Sequence, residues 1–342
     1  MQGLPCTCDA VAMATRIVFP QANEVELEEI DVGDPLAGFL RVRTLCSLMS
    51  TGTEGIVLRR LFDEDSHWAL YAVYPFYPGY AVVGVVEEVG PDVEGFEIGQ
   101  RVASRLLHAS EQLVPTRMCT PVPDAVESRE AVWFAFAKIA LMGAWVADLR
   151  LGATVAVIGA GPIGQMALRW AVASGARHVV AVDGFASRLE AARRGGATAT
   201  VADTLPSASD AIAEACGGAP EIVIDSTGNA AVFTEALKLA ADGGRVVLLG
   251  DTGSPHAQCL TPDVITRGVR VVGAHDTNSM GGPEWDGDRS LHELFLDLVR
   301  RGRFDVSELS SHTFAPSDCV DAYDLATNQR GDTMGILFDW ER

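Results

Sequence analysis

The chain has 342 residues, enough for two domains of ordinary size. Its 46 acidic residues outnumber 26 lysines and arginines, which gives a formal net charge of −20. Nucleic acids and anionic membrane surfaces are bound through basic side chains, so this balance disfavours both as partners. No run of about eighteen apolar residues is present, so no membrane-spanning helix is predicted.

The first twelve residues lack the pattern of a secretory signal, because no basic segment precedes an apolar core. Met13 directly precedes the strand-like run ATRIVF, so residues 1–12 are interpreted as a flexible N-terminal extension. Of the seven cysteines only Cys6 and Cys8 lie close together. That scatter favours a reducing cytoplasm over a disulfide framework.

The remaining chain changes its pattern twice. Residues 13–124 hold short β-like runs separated by turn residues, which is typical of a barrel-like β unit. Residues 125–275 alternate continuous apolar strands with helical segments, which predicts a doubly wound parallel sheet and an α/β fold class. Residues 276–342 hold the helical run LHELFLDLVRR and the closing strand-like run MGILFDW. The polar stretch 277–290 reads as a loop.

The strongest motif joins an apolar strand to a helix through a glycine-rich turn. Gly159 permits the tight turn, Gly161 lets the backbone approach a pyrophosphate, and Gly164 allows close helix packing. The helix N-terminus offers unpaired N–H groups to phosphates. The sequence therefore predicts a dinucleotide site built on Gly159, Gly161, Pro162, Ile163 and Gly164.

Asp183 stands nineteen residues beyond Gly164, at the end of the next predicted strand. A carboxylate there accepts hydrogen bonds from ribose hydroxyls and repels a 2′-phosphate, so NAD is predicted over NADP. Arg188 lies one turn into the following helix, where it either contacts the adenosine end or lies on a solvated face. Ligands bind at the carboxyl ends of parallel strands. That topology adds four cofactor candidates, namely Ser226, Thr227, Gly250 and Ala274.

This arrangement resembles the medium-chain dehydrogenase/reductase superfamily over nearly the whole chain. Residues 50–54 (STGTE), residues 78–80 (PGY) and the C-terminal MGILFDW are similar to its bacteriochlorophyllide a dehydrogenase-like branch, a broad set whose name does not fix the substrate. The resemblance implies a cytosolic homodimer that pairs through the edge strand GVRVVGA. It also implies a mainly β, GroES-like catalytic domain of residues 13–124 and 276–342, and a Rossmann domain of residues 125–275.

In the zinc alcohol dehydrogenases of this superfamily, a Cys, a His and a later Cys or carboxylate hold the catalytic metal. The resemblance places Ser50, Tyr80 and Phe134 at these positions, and none supplies a thiolate, imidazole or carboxylate donor. No Cys-x-x-Cys cluster for a structural zinc is present in the sequence. The chain is therefore predicted to be metal-free. Cys46, four residues before Ser50, is interpreted as a small buried residue.

Another group must then polarise a carbonyl or take the proton of an alcohol. Lys138 is the leading candidate, because it interrupts the apolar run AVWFAFAKIALMGAW, where a charge is costly without a role or a partner. A desolvated ammonium can act as general acid or base. The alternative is a structural lysine paired with an acid such as Glu54. Tyr80 and Thr53 are the hydroxyls expected to face the substrate, and Glu54 is expected to orient Lys138 or bind a substrate hydroxyl.

Ser50, His275 and Trp68 complete the predicted substrate site. His275 follows the strand VRVVGA next to Asp276, and both a proton relay and a structural role are open for it. Trp68 belongs to an aromatic group that forms either a wall for a ring-shaped substrate or part of the core. The members of this group are His67, Trp68, Tyr71, Tyr74, Phe76 and Tyr77.

These observations favour a zinc-independent NAD(H)-dependent dehydrogenase or ketoreductase. It would interconvert a secondary alcohol and a ketone on a polar or ring-type substrate, such as a sugar-like intermediate of secondary metabolism. Two alternatives stay open at this point. One is a metal-free reductase of C=C or imine bonds, which needs less polarisation of a carbonyl. The other is a lyase or epimerase that holds NAD tightly without net redox turnover.

Overall fold

The computed structural model describes residues 13–276 and 287–342. The predicted N-terminal extension, residues 1–12, lies outside the described residues, as does most of the predicted loop, residues 277–286. The last part of that predicted loop is helical, because helix α10 already begins at Gly287. The predicted loop is therefore too long at its C-terminal end.

The strands of the described residues, numbered in chain order, follow the two patterns seen in the sequence. Their bounds are β1 (Ala14–Val18), β2 (Glu26–Ile30), β3 (Phe39–Leu48), β4 (Val82–Val89), β5 (Arg101–Ser104), β6 (Glu111–Pro115), β7 (Cys119–Pro121), β8 (Thr154–Ile158), β9 (His178–Val182), β10 (Ala199–Val201), β11 (Ile222–Asp225), β12 (Arg245–Leu248), β13 (Arg270–Gly273), β14 (Ser310–Phe314) and β15 (Gly335–Asp339).

The helices concentrate in the second half of the chain, where the periodicity predicts them. Their bounds are α1 (Thr53–Arg59), α2 (His67–Tyr71), α3 (Ser128–Ala131), α4 (Phe134–Val146), α5 (Pro162–Ala173), α6 (Ala186–Arg194), α7 (Ser209–Cys216), α8 (Ala230–Leu239), α9 (Asp263–Thr266), α10 (Gly287–Arg300) and α11 (Cys319–Asn328). Within residues 13–276 and 287–342, none of these helices is long and apolar enough to span a membrane.

A six-stranded parallel sheet forms the centre of the second half. Its strand order is β10-β9-β8-β11-β12-β13, so the chain begins in the middle and winds outward in both directions. β8 and β9 are apolar almost throughout because helices cover both faces of the sheet. The order reverses between β8 and β11, which opens a crevice at their carboxyl ends. This is the predicted doubly wound, Rossmann-type sheet.

A seven-stranded, mainly antiparallel sheet forms the other half, with the order β14-β15-β3-β4-β5-β7 and with β6 paired to β3. β3 is its long central strand, and its burial alternates along the chain because one face meets the core. The C-terminal β15 pairs with β3, with Leu337 opposite Leu48. The C-terminal strands β14 and β15 therefore return to the sheet that contains β3, whereas β1 and β2 pair with each other as a separate two-stranded sheet.

Helices α4 and α10 join the halves through the largest apolar core. α4 is buried along nearly its whole length and packs on α5 of the parallel-sheet half. α10 packs on α4 and on β7 of the antiparallel sheet. Just beyond α10, Phe304 lies edge-on to Phe295 and 4.7 Å from the ring of Trp170. The two sheets therefore share one apolar core.

Candidate active site

The glycine-rich turn forms an open face at the carboxyl end of β8. Gly159 has a φ of +86°, and Gly161 is the N-cap of α5. A Cβ on Gly164 would lie 1.9 Å from the carbonyl oxygen of Gly159, so only glycine fits there. A Cβ on Gly161 would meet only Arg188 Nη1, at 3.7 Å. The turn thus leaves room at Gly161 where a phosphate group can approach the N-terminus of α5.

Asp183 lies at the end of β9, beside the glycine-rich turn. Its carboxylate accepts hydrogen bonds from the backbone N–H groups of Ala160 (2.8 Å) and Phe185 (2.9 Å). These two bonds hold the carboxylate at the edge where a ribose would lie. A carboxylate has further lone pairs, so it can accept bonds from ribose hydroxyls as well.

Arg188 turns towards this edge and does not lie on a solvated helix face. Its Nη1 is 3.6 Å from Asp183 Oδ2, and its Nη2 donates to the carbonyl oxygen of Arg330 (2.6 Å). Its Nε is buried and has no hydrogen-bond partner in the described part of the chain. A polar ligand in the crevice would supply such a partner.

The ends of the neighbouring strands brace the glycine-rich turn. Ser226 Oγ donates to the carbonyl oxygen of Gly159 (2.8 Å), and Thr227 Oγ1 donates to Asp225 Oδ1 (2.6 Å). Burial raises the pKa of Asp225. Gly250 packs so closely on Ser226 that a Cβ there would lie 2.5 Å from the backbone of that residue. Ala274 follows β13, and its N–H donates to the carbonyl oxygen of Leu248 (2.9 Å).

A cavity of about 160 Å³ separates the two halves next to these strand ends. Thr227 and Gly228 line it from the parallel sheet, while Arg59 of α1 and Arg330 after α11 line it from the opposite side. A dinucleotide requires positive side chains and backbone N–H groups around its pyrophosphate, with room for the phosphates to approach. The two arginines, the N-terminus of α5 and the open position at Gly161 meet these requirements. The residues present therefore fit a bound dinucleotide.

The three positions compared with zinc ligands carry a hydroxyl pair and a buried ring. The Tyr80 hydroxyl donates to Ser50 Oγ (2.6 Å), and Thr53 is a second hydrogen-bond neighbour of this hydroxyl. Phe134 is fully buried in the core. Burial raises the pKa of Cys46 to about 12, so its thiol stays protonated at neutral pH. This donor set does not fit a zinc ion.

No group of three or more His, Cys, Asp or Glu residues suited to a metal ion occurs among residues 13–276 and 287–342.

Glu54 is buried behind the hydroxyl pair and does not pair with Lys138, so the option in which Glu54 orients Lys138 is wrong. Its carboxylate accepts hydrogen bonds from the Ser50 N–H (2.9 Å) and the Tyr323 hydroxyl (2.6 Å). His108 Nε2 lies 3.3 Å from both carboxylate oxygens. Burial and the charge of Glu54 hold the pKa of Tyr323 well above its ordinary value. Glu54 therefore fixes the backbone at Ser50.

His108 is the histidine that sequence reasoning missed. It is fully buried, and its Nδ1 lies 2.8 Å from Ser47 Oγ. His275, the histidine predicted as either a proton relay or a structural residue, is exposed after β13. Fifty-four residues separate His108 from Glu54, and no local pattern connects the two.

Lys138 pairs with Asp276, the neighbour of His275. Its ammonium donates to Asp276 Oδ1 (2.6 Å) and to the backbone oxygen of the same residue. The other carboxylate oxygen of Asp276 accepts from Arg105, whose guanidinium lies 5.1 Å from the centre of the Tyr80 ring. Lys138, Asp276 and Arg105 thus form a charged cluster that reaches Tyr80.

Trp68 belongs to the core and to the contact between the halves, whereas His67 and Tyr71 of the same aromatic group are exposed. Trp68 is buried, and its Nε1 donates to the carbonyl oxygen of Thr252 (3.0 Å). Beside it, His67 Nε2 lies 2.8 Å from Asp251 Oδ2. The structure therefore favours the core interpretation for Trp68, and its assignment to the substrate site is corrected.

The different surroundings of two glycines predict different defects. Gly161→Ala places its Cβ in open space at an ordinary φ of −70°, so the fold should keep its melting temperature. The methyl group occupies the position of the phosphate approach, so dinucleotide affinity should fall about tenfold or more. Gly164→Ala is the matched control, since its Cβ clashes with the backbone and should lower stability itself. Thermal unfolding and dinucleotide titration measure both effects, and unchanged affinity in Gly161→Ala would contradict this assignment.

Two family models match the chain in succession. One described as "Alcohol dehydrogenase GroES-like domain" covers residues 48–124, and one described as "Zinc-binding dehydrogenase" covers residues 162–286. The first falls on the antiparallel half and the second on the parallel sheet.

Individual relatives match almost from end to end. An alcohol dehydrogenase of Cupriavidus necator is 26% identical over an alignment of 384 positions, gaps included, which covers 95% of this chain and 98% of the relative. A protein of Sinorhizobium meliloti 1021 solved with NADP superposes with a TM-score of 0.80 at 22% identity, over 96% of this chain and 99% of that one. An alcohol dehydrogenase of Escherichia coli CFT073 in complex with NADH superposes with a TM-score of 0.82 at 21% identity, over 96% of this chain and 99% of that one.

The two matching domains occur in the order, and with the sheet topology, that the structure displays. The chain therefore belongs to the medium-chain dehydrogenase/reductase superfamily and is an oxidoreductase of the medium-chain alcohol dehydrogenase type.

Proposed function

We propose that this protein is an NAD(H)-dependent dehydrogenase or ketoreductase that works without zinc. It interconverts a secondary alcohol and a ketone on a polar or ring-type substrate. The observation that carries the proposal is the hydrogen bond between Tyr80 and Ser50, at the positions that correspond to zinc ligands in the superfamily. Hydroxyl groups there bind a substrate oxygen by hydrogen bonds instead of through a metal.

The charge of Asp183 supports NAD as the cofactor. The carboxylate is held at the ribose edge by two backbone bonds, so it cannot easily turn away from a 2′-phosphate. Arg188 faces the same edge, but it lies 3.6 Å from that carboxylate and part of its charge is balanced there. The solved neighbours hold NADP in one case and NADH in another, so the preference rests on these residues of the chain.

Fluorescence titration of the dialysed protein with NADH and NADPH tests the cofactor. We expect NADH to bind at least about tenfold more tightly, since the carboxylate repels the additional phosphate. Asp183→Asn keeps the shape of the side chain and removes its charge, so it should reduce the preference for NADH over NADPH. Asp203→Asn changes an exposed acid beyond β10 and is the control, which should leave the preference for NADH unchanged. Preference for NADPH contradicts the role of Asp183, and a failure to bind either nucleotide contradicts the proposed function.

When bound, the nicotinamide accepts hydride from an alcohol or supplies it to a ketone. The chain holds the substrate oxygen and its proton. Burial raises the pKa of Tyr80, so its hydroxyl keeps its proton at neutral pH and donates to Ser50. Ser50 can in turn donate its own hydrogen to a substrate oxygen. Glu54 is a positioning residue, because it holds the Ser50 backbone.

Lys138 supplies the proton and the positive charge at this site. It is 3% exposed, and Asp276 holds its ammonium in place. In a desolvated site a fixed positive charge stabilises the negative charge that develops on a carbonyl oxygen. Arg105 donates to the same Asp276 and lies over the Tyr80 ring. These two contacts connect the charged cluster with the hydroxyl pair.

Replacing the two lysines of the chain separately tests this role. Lys138→Met should lower kcat for ketone reduction about 10²-fold or more, the usual contribution of a positioned acid. Lys238→Met is the matched control, since Lys238 is exposed and pairs with Glu235. A C=C reductase would lose little activity in Lys138→Met, so an unchanged kcat with normal NADH affinity contradicts the proposal. The assays follow dialysis against a chelator, and activity that requires added zinc contradicts zinc independence.

The exposed edge of the parallel sheet supports a homodimer. β13 is the outermost strand of that sheet and is only partly buried, so its free backbone groups can pair with the same strand of a second copy. Light scattering after size-exclusion chromatography should give about twice the 36.3 kDa chain mass. A mass of one chain would contradict the pairing.

A further inference from the structure

A second cavity lies on the antiparallel half and carries an unusual charge for this chain. It has a volume of about 200 Å³ and is lined by Arg105, Arg117, Met118, Thr120, Arg289 and His292. We infer that this cavity binds an anionic end group of the substrate, a carboxylate or a phosphate. The inference rests on the proposed function, because it assigns the cavity to the same substrate.

Three arginines line this cavity, and none of the other described residues that line it is a carboxylate. Arg105 pairs with Asp276, and Arg289 pairs with Glu293 (2.9 Å). Arg117 is exposed and forms no ion pair with residues 13–276 or 287–342. The lining therefore keeps a positive charge in a chain with a formal net charge of −20. Acidic residues outnumber basic ones in this sequence, so three arginines around one cavity require a specific explanation.

The cavity adjoins the residues proposed to hold the reacting oxygen. Arg105 lies over the Tyr80 ring, 5.1 Å from its centre, and through Asp276 it is connected to Lys138. On another side of the cavity, the His292 ring lies edge-on to Phe134, with 4.6 Å between the ring centres. Arg105 therefore both lines the cavity and lies over the Tyr80 ring, which puts the cavity next to the hydroxyl pair.

The geometry of arginine explains the class of ligand. A guanidinium presents a planar fork of N–H donors that matches the two oxygens of a carboxylate or phosphate, whereas it has no acceptor for a cationic or neutral donor group. Thr120 Oγ1, 3.2 Å from His292 Nδ1, adds a hydroxyl at the cavity wall. A volume of about 200 Å³ accommodates such a group with a few carbon atoms.

Kinetics with matched alcohols tests the inference. The pairs are 3-hydroxybutyrate with 2-butanol, and glycerol 3-phosphate with glycerol, and kcat/KM is measured at saturating NAD. We expect the wild type to favour the charged member of at least one pair about tenfold or more, as bonds to charged groups allow. The double variant Arg117→Gln/Arg289→Gln should lose this preference. Arg303→Gln, at an exposed arginine outside the cavity, should keep it. Equal use of both members by the wild type, or an unchanged preference in the double variant, overturns the inference.

Direct binding decides the inference when none of these alcohols is turned over. Inorganic phosphate and malonate are titrated calorimetrically at low ionic strength with NADH at saturation, which occupies the arginines of the dinucleotide cavity. The inference is supported if either anion binds to the wild type and to Arg303→Gln but not to the double variant. The anion that binds then identifies the end group as a phosphate or a carboxylate. Absent binding, or equal binding in wild type and double variant, overturns it.

Failure of the proposed function gives a different result. If NADH does not bind, the same titrations are run without it, and the comparison of the double variant with Arg303→Gln still decides the cavity.

Discussion

The hydrogen bond from Tyr80 to Ser50 is the constraint on which the rest of the site depends. Ser50 can accept it in this position because Glu54 fixes its backbone N–H from the buried side. Tyr80 can donate it because Arg105 and a stacked Phe136 hold the ring in place. A change at any of these contacts moves the hydroxyl pair relative to the dinucleotide cleft, and positioning errors of about 1 Å are costly in catalysis.

The cleft itself is shaped by contacts between elements far apart in the chain. Segment 61–68 packs on the loop after β12, where Trp68 Nε1 donates to Thr252 and the Asp63 N–H donates to Gly253. A Cβ on Gly253 would lie 1.9 Å from the carbonyl oxygen of Leu61, so the two backbones are in close contact. These contacts set the width of the cavity in which Arg59 and Arg330 face the strand ends. Cofactor and substrate geometry are therefore coupled through segment 61–68.

Local patterns explain which parts of this architecture can be predicted from sequence. The turn at Gly159, helix α5 and the acid at Asp183 follow one another within thirty residues, so spacing alone identifies them. Asp276, which accepts a hydrogen bond from Lys138, is 138 residues away from it, and Tyr323 meets Glu54 across 269 residues. Such pairs depend on how two sheets meet, and no periodicity in the chain encodes this. The sequence therefore indicates an acid partner for Lys138 without identifying it as Asp276 in place of Glu54, and it gives no signal for His108.

The charge of the whole chain gives the arginine cavity a particular role. A net charge of −20 repels anions at long range, so an anionic substrate is not steered towards this protein as it approaches. Selection must then come from short-range contacts within the cavity, where Arg117 and Arg289 meet the end group. Salt weakens both the long-range repulsion of the anion and its short-range contacts with the arginines. The repulsion acts over distances beyond the Debye length of about 10 Å, so added salt screens it before it weakens the contacts. Recognition by these arginines is therefore a property of the bound state and not of the approach.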